Sequence, residues 1–251
     1  MTSHPQDHAS SADRVIDSLL IRDGHARALD RHRQRFQRAV ETAFPNTTPP
    51  PSADAVWDEL LATVPREGSW FPLVEARRAE DARVELSVEV RPAPPLRAHT
   101  RLSAVADRRR FPQLKGADPV ITAEDRHAVV THGADDALYV TEAGRLLEAA
   151  NGAVVGWNGA DLHVCTSERV LDSTTVGLLV GEAESGRPGV PFTRVVRCPE
   201  GIDTSVVQEL WYLNALHGIT PVTQLNGAWM RVDDDRLILW QHIAETWWRP
   251  V

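Results

Sequence analysis

The chain has 251 residues, of which 42% are hydrophobic and 25% charged, a composition typical of folded globular proteins rather than disordered or fibrous ones. Its length allows one large domain or two ordinary ones, each with a sizeable core. The net charge of -8 at pH 7 opposes binding to nucleic acid, because phosphate contacts need a local excess of Lys and Arg.

The sequence also argues against membrane and metal binding. No apolar run approaches the roughly 20 residues that cross a bilayer. The first eleven residues are polar and lack the basic-then-apolar pattern of a secretory signal. The histidines do not have the spacing of metal ligands. We therefore expect a cytoplasmic protein without a metal site.

The first half of the chain predicts a small α/β unit. Asp23-Gly24 is a typical hairpin turn, and residues 31–44 carry apolar side chains at helical spacing, with Asp30 as the predicted N-cap. Pro-rich residues 45–52 end this helix. The predicted strands are residues 15–21, 26–29, 70–75 and 83–90, and a second helix covers 53–64.

The second half predicts short strands and turns between helices. We expect helices at 119–133 and 171–184 and strands at 136–141, 146–148, 154–157, 162–165, 209–213 and 229–232, with residues 237–239 as a strand or the start of a helix. The stiff stretch 91–96 is the best candidate linker. The predicted organisation is a flexible tail at 1–12, a small N-terminal domain at 13–110 and a C-terminal domain at 111–251.

Lysine usage gives the first indication of chemistry. Among 27 basic residues the only lysine is Lys115. Arginine replaces lysine wherever a solvated cation suffices, but a guanidinium stays charged and does not form a Schiff base. Lys115 is therefore a candidate for covalent catalysis through a Schiff base, with an ordinary surface lysine as the alternative.

Seven short motifs occur in the order found in one enzyme family. They are the Asp23-Gly24 hairpin, His32-x-x-Arg35-Phe36, Lys115-Gly-Ala-Asp118, Gly133-Ala-Asp-Asp-Ala-Leu-Tyr139, Gly144-Arg-Leu-Leu-Glu148, Leu171-Asp-Ser-Thr-Thr175 and Leu213-Asn-Ala-Leu-His-Gly-Ile-Thr-Pro-Val222. In these motifs the chain, from about Val15 to Gly227, resembles the class IV aminotransferases, most closely their aminodeoxychorismate lyase branch. The resemblance implies a two-domain α+β fold of the D-amino acid aminotransferase type (fold type IV), with a small α/β N-terminal domain and a larger pseudo-barrel C-terminal domain.

The resemblance also implies pyridoxal 5'-phosphate as cofactor and assigns residues to it. Lys115 matches the lysine that forms the Schiff base, and Glu148 matches the acid that pairs with the pyridine nitrogen. Arg35 matches the arginine that binds the phosphate. Further cofactor contacts are expected on two loops, from Ser173, Thr174 and Thr175 at a helix start and from Asn214 and Ala215 opposite.

Each of these residues also has an ordinary structural interpretation. Glu148 fits a surface carboxylate at a strand end. Arg35 shares its helix with several other arginines, and only the register of the His32 motif selects it. Ser173, Thr174 and Thr175 fit a helix cap equally well.

The substrate side departs from the family pattern. Ser18 takes the place of a family threonine and is a candidate helper in proton transfer, while Arg91 and His217 are candidates for substrate contact. Ala153 stands where the family has asparagine. The expected reaction is pyruvate elimination from aminodeoxychorismate to give 4-aminobenzoate, a step of folate biosynthesis. Amino transfer to a 2-oxo acid is the alternative.

A third possibility is a catalytically decayed member that acts as a binding or regulatory protein. Like the family, the protein is expected to act on a small amino or keto acid and to form a homodimer.

Overall fold

The computed structural model describes residues 12–45, 47 and 52–251. Its elements, in chain order, are β1 (Arg14–Ser18), β2 (Ile21–Arg22), β3 (His25–Arg27), α1 (Leu29–Ala43), α2 (Asp54–Thr63), β4 (Ser69–Trp70), β5 (Leu73–Arg78), β6 (Val84–Glu89), β7 (Thr100–Ala106), α3 (Pro119–Val130), β8 (Asp136–Val140), β9 (Leu146–Ala149), β10 (Gly152–Asn158), β11 (Asp161–Cys165), α4 (Thr174–Glu184), β12 (Arg194–Cys198), β13 (Glu209–Asn214), β14 (Gly218–Leu225), β15 (Ala228–Trp229), α5 (Asp234–Glu245) and β16 (Trp248–Pro250).

Two small antiparallel sheets contain the strands β1 to β6 of the first half. One has the order β1-β5-β6 and the other the order β16-β3-β2-β4. In the β2–β3 hairpin, Asp23 and Gly24 both have positive φ angles, as a two-residue turn of the predicted kind requires. Helix α1 buries a continuous stripe against these strands, formed by His32, Arg35, Phe36, Ala39, Val40 and Ala43.

The second half is built around a closed ring of strands. The strands β10, β13, β14, β7, β8 and β9 pair in that order, and pairing between β9 and β10 closes the ring into the predicted pseudo-barrel. Side chains alternate along β13, so that Leu210 and Tyr212 join one core while Trp211 and Leu213 join another. Helices α4 and α5 pack in that second core, where Trp157, Trp211 and Trp240 are fully buried.

The large sheet takes up the chain before residue 110, where the boundary between the two domains is predicted. Strand β7 lies before that boundary yet pairs with β14 and β8 in the large sheet, and β16 returns from the C-terminus to pair with β3. The guanidinium groups of Arg22 and Arg27 each lie over the ring of Trp248 in β16, at 4.4 and 4.6 Å from its centre. Long-range pairing of this kind leaves no local sequence signal.

Several local predictions need correction. Helix α1 begins at Leu29, and its N-cap is Ala28 in a left-handed conformation, so Asp30 lies in the first turn. Residues 237–239 are helical, and β15 is shorter than the predicted strand. Residues 1–11 of the predicted tail lie outside the described part of the chain, whereas Ala12 is buried in the first core.

Candidate active site

A cavity of about 290 Å³ lies where β1 and α1 meet the barrel. Its walls come from β1, α1, the loop before α3, the turn between β9 and β10, the start of α4 and the end of β13. Elements from both halves of the chain therefore form one site. The lining includes nine residues that the sequence selected, Ser18, Arg35, Lys115, Glu148, Ser173, Thr174, Thr175, Asn214 and Ala215.

Lys115 lies in the loop before α3, fixed against β1. Its carbonyl oxygen accepts a hydrogen bond of 2.9 Å from the backbone N–H of Ile16. Gly116 has a φ of +81°, and a Cβ there would lie 2.6 Å from Cγ1 of Ile16, so only glycine allows this approach. Desolvation in the cavity lowers the pKa of Lys115, with a further contribution from the positive charge of Arg35. A lowered pKa leaves more of the amine unprotonated, and therefore nucleophilic, at neutral pH.

Arg35 is held by a buried carboxylate that the sequence did not single out. Its Nε and Nη2 donate to the two oxygens of Asp17 at 2.9 and 2.7 Å, and Nη1 donates to the carbonyl of Asp172 at 3.1 Å. A guanidinium has five N–H donors. These bonds leave one hydrogen on each terminal nitrogen, forming a fork suited to a phosphate or carboxylate.

The amino end of α4 lies beside this arginine. The Ser173 hydroxyl accepts from the N–H of Val176 and caps the helix, so this residue has the ordinary capping role considered above. The N–H groups of Thr174 and Thr175, in the first turn, have no intrahelical acceptor by geometry. The Thr174 hydroxyl bonds His32 Nε2 at 3.1 Å. Together with Arg35, the free N–H groups make this end of the cavity attractive to an anion.

Glu148 lies elsewhere in the same cavity. Its Oε1 accepts from Arg109 Nη1 at 2.5 Å, and its Oε2 accepts from the N–H of Leu171 at 3.1 Å. Burial raises the pKa of Glu148, and the charge of Arg109 opposes this shift. Arg109 is in turn bonded to Asp107 and lies over the Tyr139 ring at 4.0 Å. The carboxylate is therefore held in one orientation inside the cavity.

The Asn214 side chain shapes its own loop. Its Oδ1 accepts from the N–H groups of Leu216 and His217 at 3.1 and 2.7 Å, and its Nδ2 donates to the Tyr212 hydroxyl and to the carbonyl of Asn151. These bonds fix the turn between β13 and β14. Asn214 and Ala215 consequently line the cavity on a rigid loop.

Two arginines and two aromatic rings line the cavity besides these groups. Arg14, on the same face of β1 as Ser18, donates from Nε to Glu75 at 2.6 Å. Arg126 on α3 donates from Nε to the buried Asp136 at 3.0 Å. The two arginine side chains are 33% and 41% exposed. The aromatic residues of this lining are Phe71 and Phe111.

The two candidates for substrate contact, Arg91 and His217, do not line the cavity. Arg91 donates from Nε to the Phe71 carbonyl at 2.8 Å and stacks over that ring. His217 Nδ1 accepts from the N–H of Arg97 at 3.2 Å, and burial lowers its pKa to about 4. His217 closely follows Asn214 and Ala215 in the sequence, yet its ring bonds the backbone of Arg97 and does not line the cavity.

Sequence reasoning missed the side chains that support the site. Asp17, His32 and Arg109 each bond a cavity residue. His32 had a signal in its motif, three residues before Arg35. Asp17 and Arg109 have none locally, because their partners lie 18 and 39 residues away.

Comparison with known families decides what this constellation is. The family model described as amino-transferase class IV matches residues 14–225. The chain belongs to this family. Membership confirms the predicted family, fold type, enzymatic character and pyridoxal phosphate cofactor. No curated protein sequence matches significantly.

Solved structures of class IV aminotransferases and lyases share the fold. A fold IV transaminase from Curtobacterium pusillum is 20% identical with a TM-score of 0.76, covering 96% of this chain and 90% of that one. A hypothetical aminotransferase from Mycobacterium tuberculosis, in a PLP-bound form, is 16% identical with a TM-score of 0.76 over 97% and 92%. The 4-amino-4-deoxychorismate lyase from Pseudomonas aeruginosa is 20% identical with a TM-score of 0.71 over 93% and 91%.

The residues present fit the cofactor of this family. A phosphate finds the free fork of Arg35 and the first N–H groups of α4, an aldehyde finds the lysine of lowered pKa, and a ring nitrogen finds Glu148. Within the described residues no cluster of His, Cys, Asp or Glu could hold a metal ion. None of the helices in that part of the chain has the length and apolar character that crossing a membrane requires.

Proposed function

We propose that the protein eliminates pyruvate from aminodeoxychorismate to give 4-aminobenzoate, with Lys115 as the covalent and proton-transferring residue. The observation that carries the proposal is the cavity lining that holds Arg14, Arg126, Phe71 and Phe111 together with Lys115. The substrate has one carboxylate on its cyclohexadiene ring and a second on the enolpyruvyl ether group that leaves as pyruvate. Two arginines and two aromatic rings offer complementary contacts to such a molecule.

In this proposal each cavity residue has one task. Arg35 and the start of α4 bind the cofactor phosphate, with Ser173, Thr174, Thr175, Asn214 and Ala215 around it. Bound pyridoxal phosphate supplies the electron sink. Glu148, oriented by Arg109, holds a proton at the ring nitrogen. Lys115 Nζ removes and returns protons at the reacting carbons, and Ser18 lies in the same lining as a helper.

Amino transfer to a 2-oxo acid is the competing reaction. It uses the same lysine and cofactor, and the fold is shared with the Curtobacterium pusillum transaminase. The two reactions differ in product. The lyase releases pyruvate and 4-aminobenzoate from one substrate, whereas the transferase converts a keto acid in the presence of an amino donor.

The decisive experiment combines a spectrum with the two assays. We expect the purified protein to bind pyridoxal phosphate with a visible absorbance band that borohydride treatment fixes on Lys115. Lys115→Ala should abolish the band and all turnover, a loss of several orders of magnitude because both the covalent bond and the base disappear. Lys115→Arg keeps a long side chain but has no amine that can form a Schiff base, so this matched variant should be equally inactive.

Product analysis then separates the candidate functions. Release of 4-aminobenzoate from aminodeoxychorismate supports the lyase. Transfer from alanine to a keto acid, without that release, would replace it with the aminotransferase. A colourless protein that does not take up the added cofactor would indicate the decayed, non-catalytic alternative.

Assembly and location belong to the same proposal. We propose a homodimer that acts in the cytoplasm on a small amino or keto acid within folate biosynthesis. Sedimentation at micromolar concentration tests the assembly, with a dimer expected and a stable monomer contradicting it.

A further inference from the structure

His32 lies in an unbroken chain of buried hydrogen bonds. Asp17 accepts from Arg35 at 2.9 and 2.7 Å, and its Oδ1 also bonds His32 Nδ1 at 2.8 Å. On the far side of the ring, His32 Nε2 bonds the Thr174 hydroxyl at 3.1 Å. Asp17 and His32 are 0% and 1% exposed. The chain links the arginine of α1 to the first residue of α4.

The direction of each hydrogen bond follows from charge. The charge of Arg35 and the hydrogen bonds from Arg35 and His32 hold the pKa of Asp17 far below its usual range, so its carboxylate can only accept. Nδ1 of His32 therefore carries a proton. Burial lowers the pKa of His32, which keeps the ring neutral and makes Nε2 an acceptor. Thr174 must then donate its hydroxyl proton to His32.

The hydrogen bond from Thr174 to His32 determines what Thr174 can offer to a bound anion. The hydroxyl proton of Thr174 points toward His32 and is not available to a ligand, so Thr174 offers the cavity its backbone N–H. A second tie, from Arg35 Nη1 to the Asp172 carbonyl, joins α1 to the segment just before α4. The guanidinium fork of Arg35 and the first N–H groups of α4, which begins at Thr174, come from residues at least 139 positions apart (174 − 35), and these two ties set their relative position.

We propose that His32 is a positioning residue that holds the amino end of α4 against Arg35, and thereby sets the affinity of the site for the phosphate of the cofactor. The inference rests on the proposed phosphate role of Arg35. The common role of a buried histidine is to satisfy its own hydrogen bonds in a core. Here both ends of the chain line the cavity, at Arg35 and at Thr174. A loss of the link should therefore change phosphate recognition specifically.

The test compares the apo protein's equilibrium affinities for pyridoxal phosphate and for pyridoxal, which lacks the phosphate. Thr174→Val removes the hydroxyl at almost constant shape and leaves the Ser173 cap in place. We expect its preference for pyridoxal phosphate over pyridoxal to fall about tenfold or more, because a buried hydrogen bond in a charged network is lost. The affinity for pyridoxal itself should stay within about twofold.

Conservative variants at His32 provide the rescue. His32→Gln places an amide oxygen near the Nε2 position and should keep most of the preference, whereas His32→Phe should lose it. His32→Asn keeps a donor for Asp17 but no acceptor for Thr174, so it should behave like Thr174→Val. His127→Asn, at an exposed position of α3, is the matched control and should leave both affinities unchanged.

Arg35→Gln separates the inference from the site assignment on which it rests. If Arg35→Gln lowers the preference while Thr174→Val leaves it within about twofold of wild type, the positioning role of His32 is wrong and the phosphate site stands. If neither variant lowers the preference for pyridoxal phosphate, the phosphate site at Arg35 and the positioning role of His32 are both wrong. An equal loss of affinity for the two ligands in Thr174→Val would also contradict the inference, since it would indicate general loosening of the fold.

Discussion

The Arg35 side of the cavity and the Arg14 and Arg126 side are built differently. Around Arg35, charged groups are buried and hold several partners each; Asp17 alone accepts from Arg35, His32 and the N–H of Ser18. Arg14 and Arg126 are about one-third to two-fifths exposed, and each pairs with a single carboxylate. The Arg35 side is therefore the rigid side, ordered before any ligand binds. The Arg14 and Arg126 side is the open side, and it keeps N–H donors free for a ligand.

The difference shows which part of the site can be identified. A preorganised anion site requires a fixed set of residues, because each buried charge must be satisfied by specific partners. A partly solvated lining can change its residues at little cost in stability. The rigid side therefore identifies the cofactor from its residues, whereas an assay with candidate substrates identifies the molecule that binds at the open side.

The largest effect is expected from Asp17→Asn, which attacks the rigid side. It leaves Arg35 buried without its counter-charge, so we expect a loss of about 3–5 kcal/mol in the free energy of unfolding. Urea denaturation of the apo protein measures this. Asp58→Asn removes the 70% exposed partner of Arg33 and is the matched control, with an expected change below about 1 kcal/mol. Equal effects of the two variants would contradict the proposed contrast.

The free energy of unfolding of the wild type, compared with that of Asp17→Asn, should also depend on pH. The pKa of Asp17 is lowered in the folded state, so its stabilising contribution is complete above the unfolded value of about 4 and is lost as the pH falls below it. The stability difference between wild type and Asp17→Asn should therefore be constant from pH 5 to 7 and shrink below about pH 4. A constant difference down to about pH 2 would show that the carboxylate charge is not its source.

An intermediate effect is expected at Gly116, which joins Lys115 to the rigid side. Gly116→Ala requires a left-handed conformation and places a methyl group 2.6 Å from Ile16. We expect a loss of about 2–3 kcal/mol, with weaker cofactor binding because Lys115 shifts. Gly133→Ala is the control, since its φ is +90° but nothing lies within 4 Å of the added carbon. If both variants lose a similar free energy of unfolding, the contact with Ile16 contributes nothing to the loss.

The smallest effect on stability is expected at the open side. Arg14→Met breaks a partly exposed ion pair with Glu75 and should change the free energy of unfolding by less than about 1 kcal/mol. If Arg14 binds a substrate carboxylate, KM for an anionic substrate should rise about tenfold or more, whereas a neutral analogue should be unaffected. An unchanged KM would remove Arg14 from the substrate contacts.

How far sequence reasoning reached can be seen in individual residues. Lys115, Arg35 and Glu148 were selected by motifs, and the structure places all three in one cavity. Arg91, which lies outside the seven motifs, and His217, which lies in the last of them, do not line the cavity. A motif specifies the order of residues along the chain, but the direction of a side chain depends on the strands and turns that carry it.

By itself, the sequence determined the family, the cofactor, the single available lysine and most helices and strands, because these depend on residue identity and local periodicity. Only the tertiary structure decided that β7 belongs to the barrel, that β16 returns to β3, and that Asp17 and His32 tie Arg35 to the start of α4. The reason is physical. Strand pairing and buried hydrogen bonds join residues far apart in the chain, so their partners are defined only once both halves have packed.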